Sequence, residues 1–91
     1  MCPTIIIADD DPSGRYFLKS VFSSAGYTTV LAEDGVQALE KARNEAPDVI
    51  IADVLMPHMD GFETCRRLKL NPRLANVPII FMTGLSEFMA L

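Results

Sequence analysis

Four short apolar runs alternate along the chain with longer segments of mixed polarity. The runs are rich in isoleucine and valine and contain few polar residues, which is typical of strands covered on both faces of a parallel sheet. The predicted strands are Thr4–Ala8, Tyr27–Leu31, Asp48–Asp53 and Ile79–Met82. Since helical segments separate them, the pattern predicts an α/β fold, and right-handed crossovers then give a parallel sheet.

Each of the three predicted helices begins at an aspartate that can cap its first turn. Asp11 precedes a proline, which is favoured at the start of a helix, and Asp34 and Asp60 are followed three residues later by Gln or Glu. Ser86 is a candidate cap for a fourth helix, of which only residues 87–91 would be present. The residues expected to face inward are Phe17, Leu18, Val21 and Phe22, then Val36, Ala38, Leu39, Ala42 and Ala46, then Phe62, Cys65 and Leu68.

Carboxylates follow the first and third predicted strands. Asp9 and Asp10 come directly after the first strand, and Asp53 ends the third. Open α/β sheets bind ligands at the carboxyl ends of their strands, so we expect these acids to lie together. Like charges about 4–5 Å apart repel by roughly 4 kcal/mol at an effective dielectric of about 20. Such a cluster needs a cation, and its hard oxygen ligands favour Mg²⁺.

Three motifs occur in a specific order along the chain. They are Asp9-Asp10-Asp11-Pro12, then Asp53 with Met56-Pro57 and Met59-Asp60-Gly61, and finally Met82-Thr83-Gly84. Their order and spacing resemble the receiver domain of two-component response regulators, from residue 4 to about residue 86. The resemblance implies a flavodoxin-like, doubly wound parallel sheet with strand order 2-1-3-4.

The resemblance also implies a function and roles for single residues. Asp53 would accept a phosphoryl group from a histidine kinase or phosphotransfer protein, and the Thr83 hydroxyl would donate a hydrogen bond to that group. Asp10, Asp53 and the Leu55 carbonyl would bind Mg²⁺ directly, while Asp9 would act through water. Such a domain is a phosphoacceptor rather than an enzyme. His58, a lone loop histidine, is better interpreted as a surface residue.

Composition narrows the expected partners. The chain of 91 residues suits one domain, and a net charge of −4 without a dense basic cluster argues against nucleic-acid binding. Cys2 and Cys65 have no metal-site spacing and indicate free thiols. Because the sequence has neither a signal-peptide pattern nor a membrane-spanning run, we expect a cytoplasmic protein with no membrane partner.

Other functions remain open. An aspartate-nucleophile phosphatase also places an acid at a strand end, but it needs a second aspartate two residues later, where this chain has Leu55. A non-signalling assembly or binding module could keep the same fold. A flavodoxin-like nucleotide binder is disfavoured, since no Gly- or Ser/Thr-rich phosphate loop follows the first strand.

The sequence ends at Leu91, whereas the family carries a lysine after a fifth strand. We therefore expect residues 1–91 to form an incomplete receiver domain without the fifth strand and last helix. The first helix would cover one sheet face alone, and the fourth strand would be an apolar edge. Exposed apolar edges pair with other chains, so we expect residues 1–91 not to be a stable monomer. They should self-associate through this strand and face, exchange elements with a second copy, or be only partly folded.

Overall fold

The computed structural model describes residues 2–82, in which four strands alternate with three helices. The strands form one parallel sheet in the order β2-β1-β3-β4, which confirms the predicted fold class and strand order. The predicted fourth helix lies outside the described residues. The elements are β1 (Thr4–Ala8), α1 (Pro12–Ser24), β2 (Thr28–Ala32), α2 (Gly35–Glu45), β3 (Val49–Asp53), α3 (Gly61–Leu70) and β4 (Ile79–Met82).

Alternate residues of the central strands supply two hydrophobic clusters on opposite faces of the sheet. One cluster lies under α1 and the other under α2 and α3, so the sheet is covered on both sides. Side chains of neighbouring strand residues point to opposite faces, which explains why the strands read as unbroken apolar runs. The first cluster includes Ile5, Ile7 and Ile51 with Leu18 and Phe22; the second includes Ile6, Ile50, Ala38, Ala42 and Leu68.

Aspartate side chains cap all three helices of the described chain, as predicted. Asp11 accepts from the Ser13 amide at 3.1 Å, and Asp34 accepts from the Gln37 amide at 2.8 Å. Asp60 caps α3 in the same way. Each cap satisfies an amide that the helix leaves without a partner. These three local contacts therefore determine where each helix begins, immediately after the turn that leaves a strand.

Two strands begin one residue later than predicted. The Tyr27 amide donates to the Phe22 carbonyl at 3.0 Å, so Tyr27 completes the end of α1 and β2 begins at Thr28. Asp48 pairs with Thr4 partly through its side chain, which accepts from the Thr4 amide at 2.7 Å. The regular ladder of β3 therefore begins at Val49.

Several apolar residues predicted to face inward are exposed instead. In α1, the contact with the sheet runs along Leu18 and Phe22. In α3, Thr64 occupies a buried position. Helical spacing predicts which residues share a stripe, but the docking of the helix decides which flank of the stripe is buried. The predictions corrected in this way are Phe17 and Val21 in α1, Val36 and Ala46 at the ends of α2, and Phe62 in α3.

Within the described chain, β4 is an edge strand with exposed apolar side chains. Ile80 is 54% exposed and Phe81 is 37% exposed. Since such edges can pair with another chain, we predict that a polypeptide of residues 1–91 alone elutes above its monomer mass of 10.0 kDa in sizing chromatography with light scattering. Ile80→Lys should reduce the larger species, whereas Val36→Lys, at an exposed valine of α2, should not. A monodisperse monomer with a cooperative melt would contradict the prediction.

Candidate functional site

Three carboxylates converge at the carboxyl ends of two neighbouring strands. Asp9 and Asp10 follow β1, and Asp53 is the last residue of β3, which pairs with β1. One carboxylate oxygen of each residue lies within 4.8 Å of the others. Asp9 and Asp53 are buried, with 6% and 4% of their surfaces exposed, while Asp10 is exposed. The structure thus brings together the three acids that the sequence singled out.

Hydrogen bonds hold Asp9 at three points. Its amide donates to the Ala32 carbonyl at 3.1 Å, which extends the ladder between β1 and β2. Its carboxylate accepts from the Asp11 amide at 3.0 Å, and its carbonyl accepts from Arg15 Nη1 at 2.7 Å. No sequence pattern singles out Arg15, because a basic residue in a helix is usually solvent-exposed.

The loop after β3 packs tightly against the backbone of Asp53. The Leu55 amide donates to Asp53 Oδ1 at 3.3 Å, and the Gly61 amide donates to the Val54 carbonyl at 2.8 Å. A Cβ atom at Gly61 would lie 2.5 Å from the Asp53 carbonyl oxygen and 3.1 Å from Val54 Cα. Because both are main-chain atoms, only glycine fits where α3 begins.

Burial and like charge make Asp53 an unusual carboxyl group. Its pKa is raised from 3.8 to about 6, mainly by desolvation and also by the charges of Asp9 and Asp10. The hydrogen bond from the Leu55 amide acts in the opposite direction because it favours the carboxylate. At neutral pH the cluster therefore concentrates negative charge on oxygen atoms alone. This donor set fits a small hard cation such as Mg²⁺.

The raised pKa predicts a pH-dependent stability when Mg²⁺ is absent. Folded Asp53 holds its proton more tightly than the unfolded chain does, so protonation of Asp53 adds to the free energy of unfolding. This contribution is complete below about pH 4 and disappears as the pH rises through about 6. At about 1.4 kcal/mol per pKa unit, the loss is about 3 kcal/mol. Urea unfolding in EDTA, repeated across this pH range, should show this loss as a change in the difference between the unfolding free energies of the wild type and Asp53→Asn. Parallel pH profiles for the two proteins would contradict the prediction.

The remaining candidate residues lie apart from the cluster or outside the described chain. Thr83 is among the residues that the structure does not describe. His58 lies on the loop after β3, where its Nδ1 is 3.1 Å from Asp34 Oδ2 and its side chain is 73% exposed. The surface interpretation of His58 is confirmed. Cys2 and Cys65 are free thiols, as predicted. Of the helices formed by residues 2–82, none has the length and apolar character needed to cross a membrane.

The sequence matches a known family over most of its length. The model of the response regulator receiver domain matches residues 5–90. Response regulator MprA of Mycobacterium ulcerans (strain Agy99) is 41% identical over 84 residues, which cover 92% of this chain and 35% of that protein. The chain therefore belongs to the response regulator receiver domain family, as the motifs indicated. It spans about a third of the length of the curated relatives it matches.

Solved receiver domains share the fold. The chemotaxis protein CheY4 of Vibrio cholerae superposes with a TM-score of 0.87 at 32% identity, covering 98% of this chain and 77% of that one. The receiver domain of a sensor histidine kinase from Pseudomonas aeruginosa also gives a TM-score of 0.87, at 28% identity over 94% of this chain and 70% of its own. That domain was crystallised with a magnesium ion coordinated in its active-site cleft.

Proposed function

We propose that Asp53 accepts a phosphoryl group and that Asp9, Asp10 and Asp53, with the Leu55 carbonyl, form a Mg²⁺ site that makes the transfer possible. The observation that carries this proposal is the convergence of three carboxylates within 4.8 Å at the strand ends of a receiver-family chain. The donor would be a phosphohistidine on a histidine kinase or phosphotransfer protein, and the domain would act in the cytoplasm. The chain would be the substrate of its partner rather than an enzyme that acts on others.

Asp53 is suited to attack phosphorus in its ionised form. A pKa of about 6 leaves it mainly ionised at neutral pH, and the Leu55 amide fixes one of its oxygens. A carboxylate oxygen forms a bond to phosphorus while the phosphorus–nitrogen bond of the phosphohistidine breaks, and the histidine nitrogen leaves with the electron pair. Bound Mg²⁺ would offset the negative charge on the phosphoryl oxygens.

Residues on both sides of Asp53 support this assignment. Met82 pairs with Asp53 in the sheet, and Thr83 is the next residue of the sequence. The family resemblance implies that the Thr83 hydroxyl donates to a phosphoryl oxygen. Leu55 presents an exposed apolar side chain where an aspartate-nucleophile phosphatase needs its second acid. The phosphatase alternative therefore lacks its acid catalyst.

Intact-mass analysis tests the proposal directly. After incubation with a small-molecule phosphodonor and Mg²⁺, the folded chain should carry one phosphate adduct, and EDTA should prevent its formation. The failure of a folded, Mg²⁺-supplied protein to gain any adduct would refute the assignment of Asp53 as acceptor.

We further predict that Mg²⁺ raises the melting temperature and that Asp10→Ala abolishes this rise. A ligand that binds only the folded state adds about 2.7 kcal/mol at a concentration 100 times its Kd, which corresponds to several degrees in a domain of this size. Without metal, Asp10→Ala should slightly stabilise the fold because Asp10 repels Asp53.

Asp11→Ala is the matched control for the melting experiment. Asp11 is a neighbouring exposed acid that caps α1 without belonging to the cluster. Its loss should cost about 1 kcal/mol of stability but leave the Mg²⁺-induced rise intact. A wild-type melt that is indifferent to Mg²⁺ would count against the metal site.

A further inference from the structure

Arg15 is the buried cation of the described chain. It is 9% exposed, whereas the other basic residues between positions 2 and 82 are exposed or only half-buried. It lies in the first turn of α1, and its amide donates to the Asp11 carbonyl at 2.9 Å. A buried charge is costly unless it is paired or hydrogen-bonded. The partner of this guanidinium is the carbonyl oxygen of Asp9, at 2.7 Å in a buried hydrogen bond.

We infer that Arg15 is a positioning residue for the proposed Mg²⁺ site, holding the Asp9–Asp10 peptide in place so that both carboxylates face Asp53. The inference rests on the proposed function. The Asp9 carbonyl belongs to the planar peptide group that joins Asp9 to Asp10. A hydrogen bond to this oxygen therefore restrains the orientation of the peptide plane after Asp9. It thereby also restrains the position of the Asp10 Cα atom, from which the Asp10 side chain extends.

The orientation of Arg15 distinguishes positioning from charge neutralisation. A cation beside three acids would be expected to pair with a carboxylate, yet the Nη1 hydrogen bond of Arg15 goes to the main chain. No ion pair joins Arg15 to Asp9, Asp10 or Asp53, all of which lie in the described part of the chain. The arginine can therefore order the site while leaving its negative charge available to a metal ion.

Gly14 allows this arrangement by letting α1 approach the acids closely. A Cβ atom at position 14 would lie 2.6 Å from Asp9 Oδ2, so any larger residue would push the carboxylate or the helix away. Gly14 and Arg15 are the two buried residues of α1. The first turn of the helix thus acts on Asp9 from two sides, since Gly14 makes space for the carboxylate and Arg15 holds the carbonyl.

Lys19 provides a matched control for Arg15. Both residues lie on α1 with their cationic groups over the Tyr16 ring, at 5.8 Å for Arg15 and 5.9 Å for Lys19. Lys19 is exposed and, within the described residues, makes no hydrogen bond to the acids. Lys19→Met therefore removes a charge and a ring contact from the same helix without touching the site.

The test measures Mg²⁺ affinity by calorimetric titration and metal-free amide exchange by NMR for Arg15→Met, Arg15→Lys and Lys19→Met. Loss of a residue that orients metal ligands weakens binding by about 10–100-fold, and we expect Arg15→Met to fall in this range. In Arg15→Met we also expect faster exchange of two amides: that of Asp9, which donates to the Ala32 carbonyl, and that of Asp11, which donates to the Asp9 carboxylate. Lys19→Met should match the wild type in both measurements.

The two readouts separate the inference from the proposed function. If Arg15 acted through its charge, its removal would strengthen Mg²⁺ binding, so tighter or unchanged binding by Arg15→Met would overturn the inference. Arg15→Lys keeps the charge but lacks the planar guanidinium. Weakened Mg²⁺ binding by this variant would therefore identify geometry as the cause. The same variant replaces Arg15→Met in the test if Arg15→Met does not fold. A wild type that binds no Mg²⁺ would refute the proposed function. The amide-exchange measurement without metal would still test Arg15, and unchanged protection of the Asp9 and Asp11 amides in Arg15→Met would refute its positioning role.

Discussion

Asp53→Asn is expected to carry no phosphate after incubation with a small-molecule phosphodonor and Mg²⁺, under conditions that give the wild type one adduct. The amide oxygen is a poor nucleophile and carries no charge, so the attack is lost and the metal ligation is weakened. The substitution is nearly isosteric, and the Leu55 amide can still donate to a side-chain oxygen at the position of Asp53 Oδ1. Loss of the adduct is therefore not expected to reflect unfolding.

Two control variants identify the acceptor without ambiguity. Asp11→Asn changes a neighbouring exposed acid, and His58→Ala removes the histidine of the loop that follows Asp53. Both should keep the adduct. An equal adduct on Asp53→Asn, or its loss in His58→Ala alone, would assign the phosphoryl group to another residue. In metal-free buffer at neutral pH, Asp53→Asn should also be more stable than the wild type, because a buried charge and its repulsion from Asp9 and Asp10 are removed.

Gly61→Ala is expected to reduce both stability and phosphorylation. The new Cβ would lie 2.5 Å from the Asp53 carbonyl oxygen, which is closer than such atoms can approach. Either α3 or the end of β3 must then move, and overpacking of this kind typically costs about 1–3 kcal/mol. Because a displacement of about 1 Å at a reacting group can cost about a hundredfold in rate, we expect phosphorylation to slow by roughly that factor.

Gly26→Ala separates the two effects. Gly26 has a φ of 95° and nothing lies within 4 Å of a Cβ built on it, so the cost there comes from backbone conformation alone. That cost is about 1–2 kcal/mol, which is similar to the expected cost at Gly61. Gly26→Ala should nevertheless be phosphorylated at the wild-type rate while it is folded. Normal phosphorylation of Gly61→Ala would show that the loop after β3 tolerates displacement of Asp53.

Local interactions explain why much of the fold could be predicted. The apolar runs are covered on both faces of the sheet, and the aspartate caps act within three residues of the chain. Both signals depend on near neighbours, so they can be recognised without a structure. The strand-end position of Asp9, Asp10 and Asp53 follows from the same signals, since the end of each apolar run marks the end of a strand.

The burial of particular helix residues could not be predicted in this way. Phe17 and Phe62 are strongly apolar but exposed, whereas Arg15 and Thr64 are polar and buried. The Phe62 ring instead packs against Phe81 of β4, with ring centroids 5.0 Å apart. These outcomes depend on the angle and height at which each helix docks on the sheet, and that docking reflects the packing of many side chains together.

The sequence by itself therefore determined the α/β class, the helix starts and the three acids of the candidate site, because each of these features is encoded in a few neighbouring residues. The tertiary structure decided how the site is held. It placed Arg15 against the Asp9 carbonyl, brought the start of α3 onto Asp53 at Gly61, and raised the pKa of Asp53 by burying it beside Asp9 and Asp10. These contacts join residues from separate elements, and they exist only once the helices have packed onto the sheet.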